Sequence, residues 1–366
     1  MKIRKVEATH VAIPYQHGGP LSVFGFGTTR ATMDSVYIRV DTEEGVTGWG
    51  EAFGFGACPV TAAAVNRVVA PLAIGREAED IGTLVQDIRR RAQNMGHNGP
   101  VGFALSGFDI ALWDIAGKRA GQPVHRLLGG AHKTRIPAYA SLLRLDTPEN
   151  VRKVGAAAIA RGYRHIKLHE RTVDTVAAAR ETAGPDFPIM LDTNCSWTVE
   201  QSVEMAKQLK PFNVSWLEEP SYPPDDYAGL ARVRREGGIP TAAGENLGNI
   251  NDFRQMLDAG AVDVMQPDVN KMGGITEIRK ALALGRERGV AVEPHSPFYG
   301  PGLIATLHVI AAMPEQDVMG EFFYADLEQS LLGDMIYPRD GYFVVPNGPG
   351  LGIEVDEKIL QHYRVD

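Results

Sequence analysis

The chain has 366 residues, 44% of them apolar and 22% charged, enough for a barrel-sized domain and a smaller partner with full cores. Its net charge is −8 and its basic residues are scattered, which excludes a nucleic-acid binder but not one for a small anion. Two cysteines, Cys58 and Cys195, exclude a disulfide framework and point to a reducing cytoplasm.

The N-terminus, MKIRKVEATHVAIPY, alternates like a strand and lacks the apolar stretch of a signal peptide. No apolar run approaches the roughly 20 residues of a membrane span. Residues 1–13 and 33–42 alternate apolar and polar, as strands of an antiparallel sheet do. Between them lies PYQHGGPLSVFGFGTTR, a long glycine- and aromatic-rich segment in which Phe24 and Phe26 favour a lid. Residues 43–56 supply a turn, a third strand and a second glycine-rich loop. From Thr61 to about Gly130 apolar residues recur at helical spacing, so residues 1–130 read as an α+β domain.

From Arg135 strands and helices alternate, with strands ending near Ser141, Leu168, Asp192, Glu219, Glu245, Pro267, His295 and Glu321. Eight such units predict a β/α barrel over 131–321, with a doubly wound open sheet as the alternative. After Glu321 only hairpin-like pieces remain, and 322–366 is expected to return to the N-terminal domain. There is no glycine-rich phosphate motif.

The polar residues at the predicted strand ends form a series: Lys167, Asp192, Glu218, Glu245, Asp268, His295 and Glu321, spaced by 25, 26, 27, 23, 27 and 26 residues. Each alone reads as a helix cap or a neighbour's partner; together, in phase with the strand repeat, they open on one face of a barrel. The carboxylates of Asp192, Glu218 and Glu245 suit one oxygen-ligated divalent ion and point to Mg²⁺. Asp268, one strand from His295, would fix the tautomer of that imidazole. His169 follows Lys167 by two and leaves on the same face, either as an acid/base or as a polar rim residue. Cys195 lies near Asp192 without a cysteine–histidine pattern, so a small rim residue is preferred to a nucleophile. The set suits removal of a proton next to a carboxylate, with fixed positive charge stabilising the resulting dianion.

GFDIALWDIAGKRAGQPVHRLLGG, LDTN, WLEEP, GEN, QPD, PHS and the final GEF follow in order over nearly the whole chain, and on them the sequence resembles the enolase superfamily, mandelate racemase subgroup. The resemblance implies a (β/α)7β modified TIM barrel under an α+β capping domain completed by the C-terminal segment. It implies one Mg²⁺ per chain on Asp192, Glu218 and Glu245, an Asp268–His295 dyad, and a protonated Glu321 donating to a substrate carboxylate. The loops 14–30 and 51–57 resemble the family's specificity loops, so His17, Phe24, Arg30 and Phe53, with Asn194, are the expected substrate contacts. Arg30 could pair with a distal carboxylate or be an ordinary surface arginine.

Where the subgroup commonly has Lys-x-Lys, this chain has Lys167-Leu168-His169, so the second catalyst is His169, or Lys167 tuned by it. Unlike catalysts on the two faces suit β-elimination on a sugar acid, as in acid-sugar dehydratases and aldarolactone cycloisomerases, more than racemisation of a 2-hydroxy acid. A non-catalytic sugar-acid-binding barrel would not need this acid/base set, and a metal-dependent hydrolase would want histidine ligands that AYASL does not offer. The resemblance also implies a homo-oligomer, dimer or octamer.

Overall fold

The computed structural model describes residues 1–21 and 31–365 in full and, between them, the backbone of 23–24 and 28–29. The alternating N-terminal segments form an antiparallel cap sheet. Ile3–Gln16 pairs with Thr32–Thr42, which pairs with Thr47–Ala52. One face of this sheet is covered by the helices Cys58–Ala64, Ile81–Arg91 and Pro100–Ala120, whose apolar residues share a core with Val36, Ile38 and Val40. The helix at 100–120 enters at Gly99-Pro100 and stops at Gly121, whose φ of 63° a glycine adopts without cost. It lies against the third cap strand because neither contacting residue has a side chain: a Cβ on Gly50 would collide with the carbonyl of Gly107.

Eight parallel strands follow: Arg135–Ser141, Ile166–Leu168, Ile189–Asp192, Leu217–Glu218, Thr241–Ala243, Val264–Met265, Ala291–Val292 and Gly320–Phe323. Numbered in that order they pair as 7-6-5-4-3-2-1-8, which is the curled sheet of a barrel and not a doubly wound one. Strands seven and eight are joined through side chains. Glu293 accepts from the Met319 amide at 2.9 Å, and Glu321 from the Ser296 amide at 2.9 Å. Strand three, IMLD, is buried throughout, as a parallel strand covered on both faces must be. Inside the barrel Tyr139, Met190, Trp216, Ala242 and Met319 form an apolar floor below the mouth.

The segment after the barrel touches both parts. Asp326–Leu327 pairs antiparallel with Tyr15 and Gln16 of the first cap strand, and the Tyr363 carbonyl accepts from the Ala12 amide at 3.0 Å. Tyr342–Val344 instead pairs with the first barrel strand. Buried Asp114, on the long cap helix, accepts from the amides of Trp49 at 2.9 Å and Leu351 at 2.8 Å. One carboxylate thereby ties the helix to the cap sheet and to the tail. Among the described residues no helix is long and apolar enough to cross a membrane.

Candidate active site

Strand ends carry the polar residues, though not at the positions the spacing alone suggests. Asp192 and Glu218 are the last residues of strands three and four and stand opposite each other in register. Glu245, Asp268 and His295 lie two or three residues beyond their strands, on rim loops, because strands five to seven stop after two or three residues. Glu321 sits inside strand eight. The Asp268 and His295 segments continue the parallel pairing as an isolated bridge.

Asp192, Glu218 and Glu245 each offer an oxygen, and the three atoms lie within 4.8 Å of one another. Each carboxylate is held on its outer side. Asp192 accepts from the Asn194 amide at 2.8 Å and its Nδ2 at 3.0 Å, Glu218 from Trp216 Nε1 at 2.9 Å, and Glu245 from Lys271 Nζ at 3.1 Å. Asn194, Cys195 and Glu219 have φ of 47°, 53° and 40°, left-handed values that non-glycine residues rarely adopt. Such strain persists only where the surroundings enforce it, and it clusters here around the acids.

The cations lie against the same three acids. Lys167, with no exposed side-chain surface, places Nζ 2.6 Å from Glu218, 3.0 Å from Glu321 and 3.8 Å from Asp192. Burial opposes its charge, but Glu218 and Glu321 outweigh it and hold the ammonium well above the usual lysine range. Glu245 is likewise disfavoured by burial yet held well below the carboxylate range by His295 and Lys271. For Glu218 burial prevails over Lys167, and its pKa is raised.

The two histidines approach from opposite sides of the acids. His169 donates Nδ1–H to the Leu142 carbonyl at 2.6 Å, which leaves Nε2 3.2 Å from Asp192. His295 donates Nδ1–H to Asp268 at 2.6 Å and holds Nε2 3.0 Å from Glu245. Burial lowers both pKa values, but Asp192 for His169 and chiefly Glu245 for His295 outweigh it, so both are raised.

The cations around Glu321 oppose the proton the resemblance implies: burial raises its pKa, but Lys167 and His295 outweigh that and bring it down to about 2. Burial and then Glu219 push the Cys195 thiol far up, which disfavours the thiolate a nucleophile needs. Of the expected substrate contacts, Asn194 fixes Asp192, and Phe53 stands at the mouth with its ring 4.3 Å from Lys271 Nζ. His17 is turned into its own loop, with Nε2 2.6 Å from the Pro20 carbonyl. Arg30 and Phe26, and the side chain of Phe24, lie outside the described residues.

Two further residues belong to the site. Lys271 is a buried cation, and its signal in the sequence is a lysine three residues after Asp268 in NKMGG. Glu219 accepts from Asn246 Nδ2 at 2.5 Å and from the Cys195 thiol at 3.2 Å, and burial and then Glu245 raise its pKa to about 8. Its signal is the doubled acid of WLEEP.

Comparison with known proteins agrees with this architecture. Residues 6–129 match the family Mandelate racemase / muconate lactonizing enzyme, N-terminal domain, and residues 150–359 match Enolase C-terminal domain-like. The chain is 33% identical over 349 residues to 3,6-anhydro-alpha-L-galactonate cycloisomerase of Streptomyces coelicolor, covering 92% of this chain and 94% of the relative. It is 34% identical to D-galactonate dehydratase of Ralstonia pickettii, covering 89% and 90%. A racemase from Streptomyces coelicolor with bound magnesium superposes with a TM-score of 0.85 at 30% identity, covering 99% of this chain and 100% of that one.

Proposed function

Because the chain belongs to the mandelate racemase / muconate lactonizing enzyme family of the enolase superfamily, we propose that it is a Mg²⁺-dependent lyase or isomerase acting on a hydroxylated sugar acid or its lactone. The observation that carries this reading is the opposed pair of imidazoles. His169 Nε2 and His295 Nε2 stand 3.2 Å and 3.0 Å from acids on either side of the carboxylate trio, each with its tautomer fixed by the other nitrogen.

Asp192, Glu218 and Glu245 fit a hard divalent ion: all donors are oxygens, close enough to share one centre, and their crowded charges face Lys167, Lys271, His169 and His295. When bound, Mg²⁺ supplies fixed positive charge against the enediolate that forms when the α-proton leaves. Lys167, anchored between Glu218 and Glu321, adds a fixed cation where a substrate carboxylate would lie. One imidazole takes the α-proton at Nε2. The other gives a proton from Nε2 to the departing β-oxygen, a hydroxyl or a lactone oxygen. Asp268 keeps the His295 ring in the working tautomer. Phe53 of the cap packs edge-on against Phe298 of the barrel with ring centres 6.3 Å apart, an apolar contact between the two parts that would limit water at the mouth.

A panel of aldonic and aldaric acids and their lactones, incubated with Mg²⁺ in D₂O, tests the proposal. The expected product is a 2-keto acid. Recovery of deuterated substrate with inverted configuration and no keto acid would replace elimination with racemisation. No reaction across the panel would sink the substrate class.

A further inference from the structure

Away from the barrel mouth, a second set of metal-ligating side chains meets in the cap. His10 on the first cap strand stands opposite Val36 in register, and Asp34 lies two residues before Val36. The side-chain period of two therefore sends His10 and Asp34 out on the same face. That face is the one covered by the helices, and Cys58, first residue of the helix Cys58–Ala64, packs in the same core as Val36. One ligand atom from each of His10, Asp34 and Cys58 lies within 4.8 Å of the other two.

The local geometry orients each group. Thr32 Oγ1 donates to Asp34 Oδ1 at 2.8 Å, and Asp34 Oδ2 faces His10 Nε2 at 3.3 Å. With bonds of about 2.0–2.1 Å from nitrogen or oxygen to zinc, two ligands of a tetrahedral ion stand about 3.3 Å apart. Cys58 has no exposed surface, and the loop before it closes tightly, since a Cβ on Gly54 would come 3.1 Å from Cys58 Cα. The sulfur thus meets its neighbours in a pocket that excludes bulk water, with His10 and Asp34 on the rim.

We propose that His10, Asp34 and Cys58 form a second metal site, for a borderline divalent transition ion such as Zn²⁺. The donor set separates it from the barrel site. Three carboxylates favour a hard ion, whereas a thiolate, an imidazole and one carboxylate favour zinc or cobalt and leave a fourth position open. Binding removes the thiol proton and any proton on His10, so ion uptake releases acid. Its place in the chain gives the site a structural role. Asp34 follows the 14–30 loop, and Cys58 follows the 51–57 loop, so the ion would clamp the bases of both to the first cap strand. The proposal does not depend on which reaction the barrel performs.

The test uses Co²⁺ as the probe. The full-length protein is stripped with a chelator, placed in excess Mg²⁺ to fill the carboxylate trio, and titrated with Co²⁺. The expected result is a near-ultraviolet sulfur-to-cobalt charge-transfer band that saturates at one equivalent and is erased by one equivalent of Zn²⁺. Cys58→Ser and His10→Ala should abolish the saturable band, Thr32→Val should weaken cobalt binding by about tenfold, and Cys195→Ser and Glu218→Gln should leave it intact. No band in the wild-type protein, or a band that survives Cys58→Ser, overturns the proposal. Should Cys58→Ser fail to fold, Asp34→Asn on the rim gives the same reading: an unchanged cobalt affinity there also overturns it.

Discussion

His295 stands between two carboxylates: Nδ1 is 2.6 Å from Asp268 and Nε2 is 3.0 Å from Glu245. Both ring nitrogens therefore face an acceptor, and Glu245 above all raises the pKa of the ring against burial that opposes its charge. Of the two carboxylates, only Glu245 belongs to the acid trio. The group that handles the proton and the group that would hold the ion are thus electrostatically one unit.

Replacing His295 with Asn keeps an amide that can donate to Asp268 but removes the proton carrier. Turnover of the sugar-acid substrate should fall by about 10²–10⁴-fold in kcat. The circular dichroism spectrum should stay close to wild type, and Mg²⁺ should still bind. Full activity in this variant would remove the dyad from the mechanism.

For Glu218→Gln the readout is stability. In the wild-type protein, Mg²⁺ at about 100 times its Kd should raise unfolding free energy by about 2.7 kcal/mol. The variant should lose most of that increment in denaturant titrations with and without Mg²⁺. An undiminished Mg²⁺ effect would place the ion elsewhere.

Lys167→Met removes a cation with no exposed surface and leaves Glu218 and Glu321 buried without it. Breaking such a pair costs about 3–5 kcal/mol. The sign with pH follows from Glu321, whose low pKa depends on Lys167. Without the lysine its folded-state pKa rises, so the carboxyl takes up a proton more readily in the folded variant. The destabilisation relative to wild type should therefore shrink as pH falls toward 4, read from urea midpoints.

His308, on the helix Pro301–Ala311, gives a pH dependence away from the site. Its Nε2–H donates to the Leu351 carbonyl at 3.0 Å, and its Nδ1 lies 3.0 Å from Nδ1 of His125, which donates to it. Burial lowers its pKa from 6.5 to about 4, against the hydrogen bond to Leu351. The unfolded chain binds a proton near pH 6.5 while the folded chain resists, so this contribution to stability is present above pH 6.5 and is lost as pH falls through about 4. A shift of that size corresponds to about 3 kcal/mol. His308→Gln should flatten the decline in urea midpoint across that range; a decline as steep as in wild type would assign it to other groups.

The sequence shows most of the barrel because parallel strands are continuous apolar runs that end in a polar residue, and the strand repeat then aligns those residues. It is less informative where side chains leave from rim loops. Glu245, Asp268 and His295 sit past their strands, and only the bridge between the last two continues the pattern. Lys271 obeys no strand period at all. It reaches the trio from a turn, so its sequence neighbourhood resembles any helix start. The cations that act on Glu321 are hidden for a related reason: a carboxylate's charge depends on what surrounds it in space, and neither Lys167 nor His295 is near it in sequence.

The pairing of the tail with the first cap strand has a consequence for synthesis. Ile3 and Ala8 of the first cap strand bond to residues 75–76 and to Asn66, but Tyr15 and Gln16 have their outer partner at 326–327 and Ala12 donates to Tyr363, so the second half of this strand's outer edge is covered by residues made some 300 positions later. Until those residues emerge, the nascent cap presents an open sheet edge, the surface most prone to pairing with another chain. The order of the chain therefore leaves this edge exposed during synthesis. Truncation before residue 326 should yield aggregates instead of a smaller folded protein, which sedimentation of the translation product would show.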